Sequence, residues 1–479
     1  MQKYISIFIT GILFMACQSI SNEWQIYQSV NSLNDTLSTQ AYRYLKAHLP
    51  KEKWQYWISN PDFFMQDLNN AITRNREQLE NQSLPFPVFA EYILPLQIDQ
   101  EPIENWRKDC MDKFSFCMGK DVVYSCDTIN NLLKKDFSFS TQNSDYKFMP
   151  WKQLDTLKKG DCFHMAKSVL YPLRALGILT TIDFTPCWGN TTGGHSWNVA
   201  YVKGKMIPFM GREMGLYKYD PFKIYHFEDT IKDLLANPYR YPAKIYRRTF
   251  SVNKLLETLV KKTAKENLPP FLQDCRIQDV TSEYFPAKDV NVLLNDKVHK
   301  QEIIYLAVYS YDWTITAYPE WQDDRQAIFK NLKTEILYMP VVYRKGIILP
   351  IDDPFILDKS GKKKIIQTAS SKANSCHLQY LLPMRQELSF AVGNKDQLPP
   401  NIFDQIYSGR GRKKPTVGET YSLYCWNGIR WKFVQSAKAS EKGLLFQDIP
   451  AGALFFLADK DYQFIGRCFT VENENPVWW

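Results

Sequence analysis

The apolar residues of this chain change their spacing near residue 298, and that change limits what it can fold into. Between 26 and 150 they recur at helical intervals. The clearest stretches are Gln40–His48 and Pro61–Leu79, the second opening on Asn60-Pro61 as an N-cap and first helical residue would. Pro85, Pro87 and Pro95 interrupt the pattern within SLPFPVFAEYILPL. From 151 to 290 helix and strand alternate. A helix over Cys162–Leu176 ends at Gly177, extended runs follow at Ile178–Phe184, Ser196–Val202 and Met206–Phe209, and Val252–Ala264 closes the segment as a helix. Beyond 298 the period is two, with β-rich runs at Ile303–Ser310, Glu335–Tyr343, Thr420–Cys425 and Leu444–Ala458. In SLYCWNGIRWKFV, Asn427-Gly428 between two aromatic runs predicts a hairpin. A chain of 479 residues asks for about three cores. The expected class is α+β, divided at 1–17, 18–150, 151–290, 291–385 and 386–479.

The net charge of +8 is spread over 59 basic and 51 acidic residues. The densest basic runs, Arg410–Lys414 and Lys362–Lys364, sit beside Gly or Pro and read as solvated loops, so no nucleic-acid partner is expected. The N-terminus says more. Lys3 precedes an apolar run, Ile5–Ala16, too short to cross a bilayer but suited to a signal peptide. Phe14-Met15-Ala16-Cys17 resembles a bacterial lipobox, apart from Phe where Leu is usual. That resemblance implies lipidation of Cys17 and a membrane-anchored place in the cell envelope, at the outer membrane of a Gram-negative bacterium. A plain signal peptide cut elsewhere is the alternative.

Nine cysteines remain after Cys17, an odd number that leaves at least one thiol free. Cys110, Cys117 and Cys126 are close enough to pair, in a pattern the sequence leaves open. No CxxC pair exists, and a close Cys–His combination such as Cys162 with His164 offers too few ligands, so no metal site is expected.

Cys162 follows Gly160-Asp161 at the first turn of its helix, where the dipole and unpaired amides favour a thiolate. Those amides also suit an oxyanion during acyl transfer. His164 points about 200° around the same helix and cannot serve as base. His195, after Gly193-Gly194 and at the head of an extended run, can. Alone, either residue would be read as core; together they make a nucleophile and a base.

A helix carrying Cys in Gly160-Asp161-Cys162, then a strand carrying His in Gly194-His195-Ser196-Trp197, resembles the transglutaminase-like core of the papain-like superfamily. The chain is also similar to a bacterial group of lipobox-bearing transglutaminase-like proteins. The matching features are Phe89–Pro95, Glu101 and Trp106, Asp183–Pro186, Trp188-Gly189-Asn190 and GHSWN at 194–198. The resemblance implies a helical N-terminal region, a transglutaminase-like (papain-like) core at 151–290 and two β-sandwich-like modules behind it. It implies Cys162 as nucleophile, His195 as base and no cofactor.

In that superfamily an Asp follows the His by about fifteen residues, and here the place falls to Met210. Glu213 and Asp220 lie close enough in sequence to substitute, and Asp183 on the preceding strand could approach from the other side. Asn198 belongs to the opposite face of the His195 strand. Trp188 and Trp197 are candidate substrate-binding walls, or core, while Glu91 and Glu101 read as anchors of the helical region. Trp426, Trp431, Trp478 and Trp479 read as core, with sugar stacking as the other use.

The expected function is cysteine-dependent acyl transfer, hydrolysing more readily than cross-linking, on a peptide, protein or glycopeptide amide. Its rival is a weakened transglutaminase-like lipoprotein that binds glycan or protein through the β-modules. A third reading makes the protein a structural anchor with Cys162 and Cys187 in a disulfide.

Overall fold

The protein is described by a computed structural model, covering residues 21–76, 84–140, 148–223, 239–299, 302–310, 312–366, 373–381, 414–461 and 463–479. Cys17, the segment before it and residue 385 lie outside these residues, as do Arg410–Arg412 and residue 413 of the basic run. Among the described residues no helix is long and apolar enough to cross a membrane.

The fold is α+β. Its N-terminal part holds α1 (Thr36–His48), α2 (Lys51–Ile58), α3 (Pro61–Arg76), α4 (Phe86–Tyr92), α5 (Trp106–Phe114), α6 (Val122–Leu133) and α7 (Trp151–Leu157). Pro85 and Pro87 do not break a helix; they open one. Pro85 is the N-cap of α4 and Pro87 lies in its first turn, where no intrahelical N–H is needed.

The central helix α8 (Cys162–Ala175) packs on an antiparallel sheet. The sheet holds β1 (Thr180–Thr185), β2 (His195–Val202), β3 (Lys205–Phe209), β4 (Tyr246–Arg248) and β5 (Ile277–Asp279), in the order β3-β2-β1-β4-β5. The helical region and this sheet are one packing unit. Ile26, Phe64, Phe89 and Trp106 share a buried cluster with Val169 and Tyr171 of α8, Ala200 of β2 and Phe250.

Two glutamates tie the helices to the core. Glu91 accepts hydrogen bonds from the Tyr44 hydroxyl at 2.9 Å and from the backbone N–H groups of Phe250 and Ser251. Glu101 meets Lys167 of α8 at 2.9 Å, with the two side chains 2% and 0% exposed, and also accepts from the N–H groups of Ile98 and Asp99.

The rest of the chain forms two sandwiches. In the first, β6 (Ala287–Leu293), β9 (Trp321–Gln322) and β10 (Gln326–Lys333) face β7 (Ile304–Ser310), β8 (Asp312–Ala317), β11 (Leu337–Arg344), β12 (Ile347–Pro350), β13 (Phe355–Leu357) and β14 (Lys363–Ile365) across a shared apolar layer. In the second, β15 (Ala373–Leu378) and β18 (Leu444–Pro450) face β16 (Thr420–Trp426), β17 (Trp431–Lys438), β19 (Phe455–Ala458), β20 (Phe464–Glu472) and β21 (Asn475–Trp478).

Three sequence expectations shift. Strand β6 runs through the 290/291 boundary, and β15 pairs with β18, so the division between the sandwiches falls before residue 373 instead of near 385. The run Leu444–Ala458 is two strands in different sheets, parted by the turn at Ala451-Gly452. The Asn427-Gly428 hairpin closes over four residues, with the Asn427 side chain accepting from the N–H groups of Ile429 and Arg430. Trp426 and Trp431 pack into a core shared by both sandwiches and the central sheet.

Glu101→Ala should destabilise the protein by about 3–5 kcal/mol in urea unfolding, because it leaves Lys167 buried and uncompensated. Burial pushes the Glu101 carboxyl up, but Lys167 and the backbone donors outweigh it and the net shift is downward. Its stabilisation is complete above the unfolded value of 4.5 and is lost as the pH falls through the lower folded value, so unfolding midpoints of the parent and Glu101→Ala should converge in acid.

Candidate active site

The start of α8 is built by Asp161. This N-cap residue accepts from the N–H groups of Phe163 at 2.9 Å and His164 at 3.1 Å, and its Oδ1 lies 2.8 Å from His164 Nδ1. His164 is therefore buried capping machinery, turned away from the thiol as its helical offset requires. The cap has a cost for the oxyanion expectation, because two of the first-turn amides are already committed to Asp161.

Cys162 is the first residue of α8, half-buried beside Met165, Trp197 and Met210. The backbone N–H of Ser196, at the start of β2, favours its charged form. Burial pushes the thiol up to about 12, and the Asp161 carboxylate adds to the rise. The backbone donors of Ser196 and Phe163 and the Arg240 cation pull the other way without overcoming it. The resting group is a thiol, not the thiolate that a helix start alone would predict.

His195, the residue before Ser196, stands half-buried between two indoles, with ring centroids 6.1 Å from Trp188 and 5.9 Å from Trp197. Its Nε2 is hydrogen-bonded to the Tyr219 hydroxyl at 2.8 Å. The sequence reading passed over this tyrosine because it searched for a carboxylate. It missed Arg240 as well, whose guanidinium lies 4.8 Å above the Trp188 ring and whose buried Nε has no hydrogen-bond partner among the described residues. Arg240 is within electrostatic reach of Tyr219, Cys162, Glu213 and Asp220.

The other candidates fall elsewhere. Asp183 is fully buried, takes a bidentate bond from Arg247 at 2.8 and 2.9 Å, and accepts the Tyr284 hydroxyl at 2.7 Å. That hydroxyl oxygen in turn accepts the Trp197 indole N–H at 3.0 Å. Asp183 and Trp197 therefore belong to a buried network under the site, and Trp197 is fully buried core with no face open to a substrate. Glu213 lies near Arg240 and Lys134, and His195 is not among its partners in the described residues; burial pushes its carboxyl up. Asp220 closes a local turn by accepting from Phe222 N–H at 2.9 Å. Met210 follows β3, as the count from His195 requires, but lies in the apolar cluster with Trp197 and Val199. Asn198 faces α8, donating to Ala166 O at 2.9 Å and accepting from Gly211 N–H.

The loop 186–194 is tied by hydrogen bonds along its length. Gly189 N–H donates to Tyr241 O at 2.6 Å, Asn190 bonds Tyr241 and Tyr239, and Gly193 N–H reaches the Ser310 hydroxyl at 3.1 Å. From the C-terminal sandwich, buried Arg467 donates to Gly189 O at 2.9 Å. Gly194 is required for space, since a Cβ there would sit 2.6 Å from Thr185 O. All nine cysteines of the described residues are free thiols, Cys162 and Cys187 included, which overturns the disulfide-anchor reading and the pairing of Cys110, Cys117 and Cys126. Among the described residues no cluster of three His, Cys, Asp or Glu side chains is placed to hold a metal ion.

No protein-family model matches the chain, and no curated protein matches it. Two solved structures are similar at a low level. One is a candidate cysteine protease from Cytophaga hutchinsonii, 17% identical with a TM-score of 0.20, matched over 23% of this chain and only 39% of its own. The other is red sea bream transglutaminase, 8% identical with a TM-score of 0.23, over 75% of this chain and 71% of its own.

Because the resting thiol is held up to about 12, alkylation of Cys162 by iodoacetamide in the folded protein should keep accelerating to about pH 10. A plateau near neutrality, read by peptide mass spectrometry, would mean a preformed thiolate instead.

Proposed function

We propose that the protein is a cysteine-dependent acyl-transfer enzyme of transglutaminase-like type that hydrolyses an amide of a peptide, protein or glycopeptide. The observation that carries this reading is Cys162 at a helix start, packed on the cluster that holds Trp197, one of the two indoles between which His195 stands. Cys162 gives its proton to His195 as its sulfur attacks the amide carbonyl, forming the C–S bond. The tetrahedral intermediate expels the amine, which takes the proton from His195. Water then attacks the thioester, giving a proton to His195 as the C–O bond forms, and the proton returns to the departing sulfur. Because the resting thiol is neutral, deprotonation belongs to the attack step and the base is indispensable. Trp188 walls the base on one side, and Arg240 lies over the Trp188 ring. Export with a lipid anchor at Cys17 would put this chemistry on envelope or external amides, the partner being the substrate and the membrane.

One observation favours the rival reading, binding through the β-modules: His195 Nε2 is hydrogen-bonded to the Tyr219 hydroxyl, where the superfamily pattern would put a carboxylate. Screening an amide library separates the two. The enzyme should give a trapped thioester on Cys162 and lose turnover by at least about a hundredfold in His195→Ala. Glycan or protein binding that survives Cys162→Ala, with no acyl adduct on any amide, would establish the rival.

A further inference from the structure

We infer that Tyr284, held by Asp183, is a positioning residue for His195 and acts on it through Trp197. The inference rests on the Cys162–His195 reading above and goes beyond it by naming what fixes the base. Asp183 pairs across the sheet with Trp197, while His195 lies opposite Thr185. The carboxylate therefore reaches the imidazole only at second hand.

The chain of contacts is continuous. Arg247 of β4 donates from Nε and Nη2 to the Asp183 carboxylate at 2.8 and 2.9 Å, and from Nη1 and Nη2 to Glu283 at 3.1 and 2.8 Å. One guanidinium thus ties strand β1 and the short helix Thr281–Tyr284 together. The Tyr284 hydroxyl donates to Asp183 Oδ2 at 2.7 Å, and its oxygen accepts the Trp197 indole N–H at 3.0 Å. A carboxylate only accepts and an indole N–H only donates, so the direction of both bonds is fixed. The Tyr284 ring also meets Trp197 edge-on, at 5.8 Å and 90°. Bond and ring contact together hold the buried indole in one orientation. That indole stands 5.9 Å from the His195 ring, and Cys162 packs on the cluster that holds Trp197. Trp197 therefore borders the base and belongs to the cluster that seats the nucleophile. A base must stand in line with the thiol, and a small displacement of a reacting group costs rate. Released from Tyr284, the indole can rock, and the imidazole beside it loses that line.

The test is iodoacetamide alkylation of Cys162 in the full-length protein at one neutral pH, read by peptide mass spectrometry. Tyr284→Phe keeps the ring and the Asp183–Arg247 pair and removes the hydroxyl. It should slow alkylation about tenfold, the order that one hydrogen bond is worth, and slow it no further in a His195→Gln background. Trp197→Phe withdraws the indole N–H and leaves Tyr284 on Asp183. It should behave in the same way, and it carries the test if Tyr284→Phe does not fold. A loss of packing alone would slow both backgrounds alike. Equal slowing in both backgrounds, or none in the parent while His195→Gln is slow, overturns the role of Tyr284. Alkylation unchanged in His195→Gln overturns the Cys–His reading itself, and this inference falls with it.

Discussion

Strand β2 pairs with β1 on one side and β3 on the other, placing His195 opposite Thr185, Trp197 opposite Asp183 and Asn198 opposite Phe209. That register assigns every residue of the site. Successive side chains on a strand alternate faces. Asn198 accordingly turns to α8 and bonds Ala166 O, while Trp197 turns to the other face and reaches Tyr284, which meets Asp183. The thiol is carried by the first residue of α8 and packs on the cluster that holds Trp197 of β2. A slip of one residue would put Asn198 in the Asp183 network and leave the Ala166 carbonyl without its donor.

The loop feeding β2 connects the site to the rest of the molecule. Ser310 of the first sandwich, Arg467 of the second and Tyr241 beside the site all bind it within a few residues of His195. The β-modules therefore act at least as a frame for the base. Burying the Arg467 guanidinium is costly, and its bonds to Gly189 O and to Trp479 O offset that cost.

The chemical character of the thiol follows from a conflict between local and tertiary effects. A helix start favours a thiolate, but the N-cap that makes this helix start is itself an anion and occupies two of the amides. Packing beside Met165, Trp197 and Met210 then removes the water that would stabilise charge. The Arg240 cation and the Ser196 donor offset this only in part.

Much of the frame was legible in the residues. The change from helical to alternating spacing separates the helices from the sandwiches, and Asp161-Cys162 with Gly177 brackets α8. The offset argument correctly set aside His164 and Asn198, because positions along one helix or strand are fixed by backbone geometry alone. What lay beyond it depends on segments far apart in sequence. Asp183 turned from a candidate acid into a partner of Arg247 and Tyr284, and Trp197 from a cleft wall into core. No spacing rule points to a tyrosine 24 residues after His195, or to an arginine 45 residues after it. The sequence by itself determined the elements and their faces, since these are local consequences of periodicity and capping. Only the tertiary structure decided which group stands behind the imidazole and that the thiol rests protonated, since both depend on burial and on charges brought together by packing.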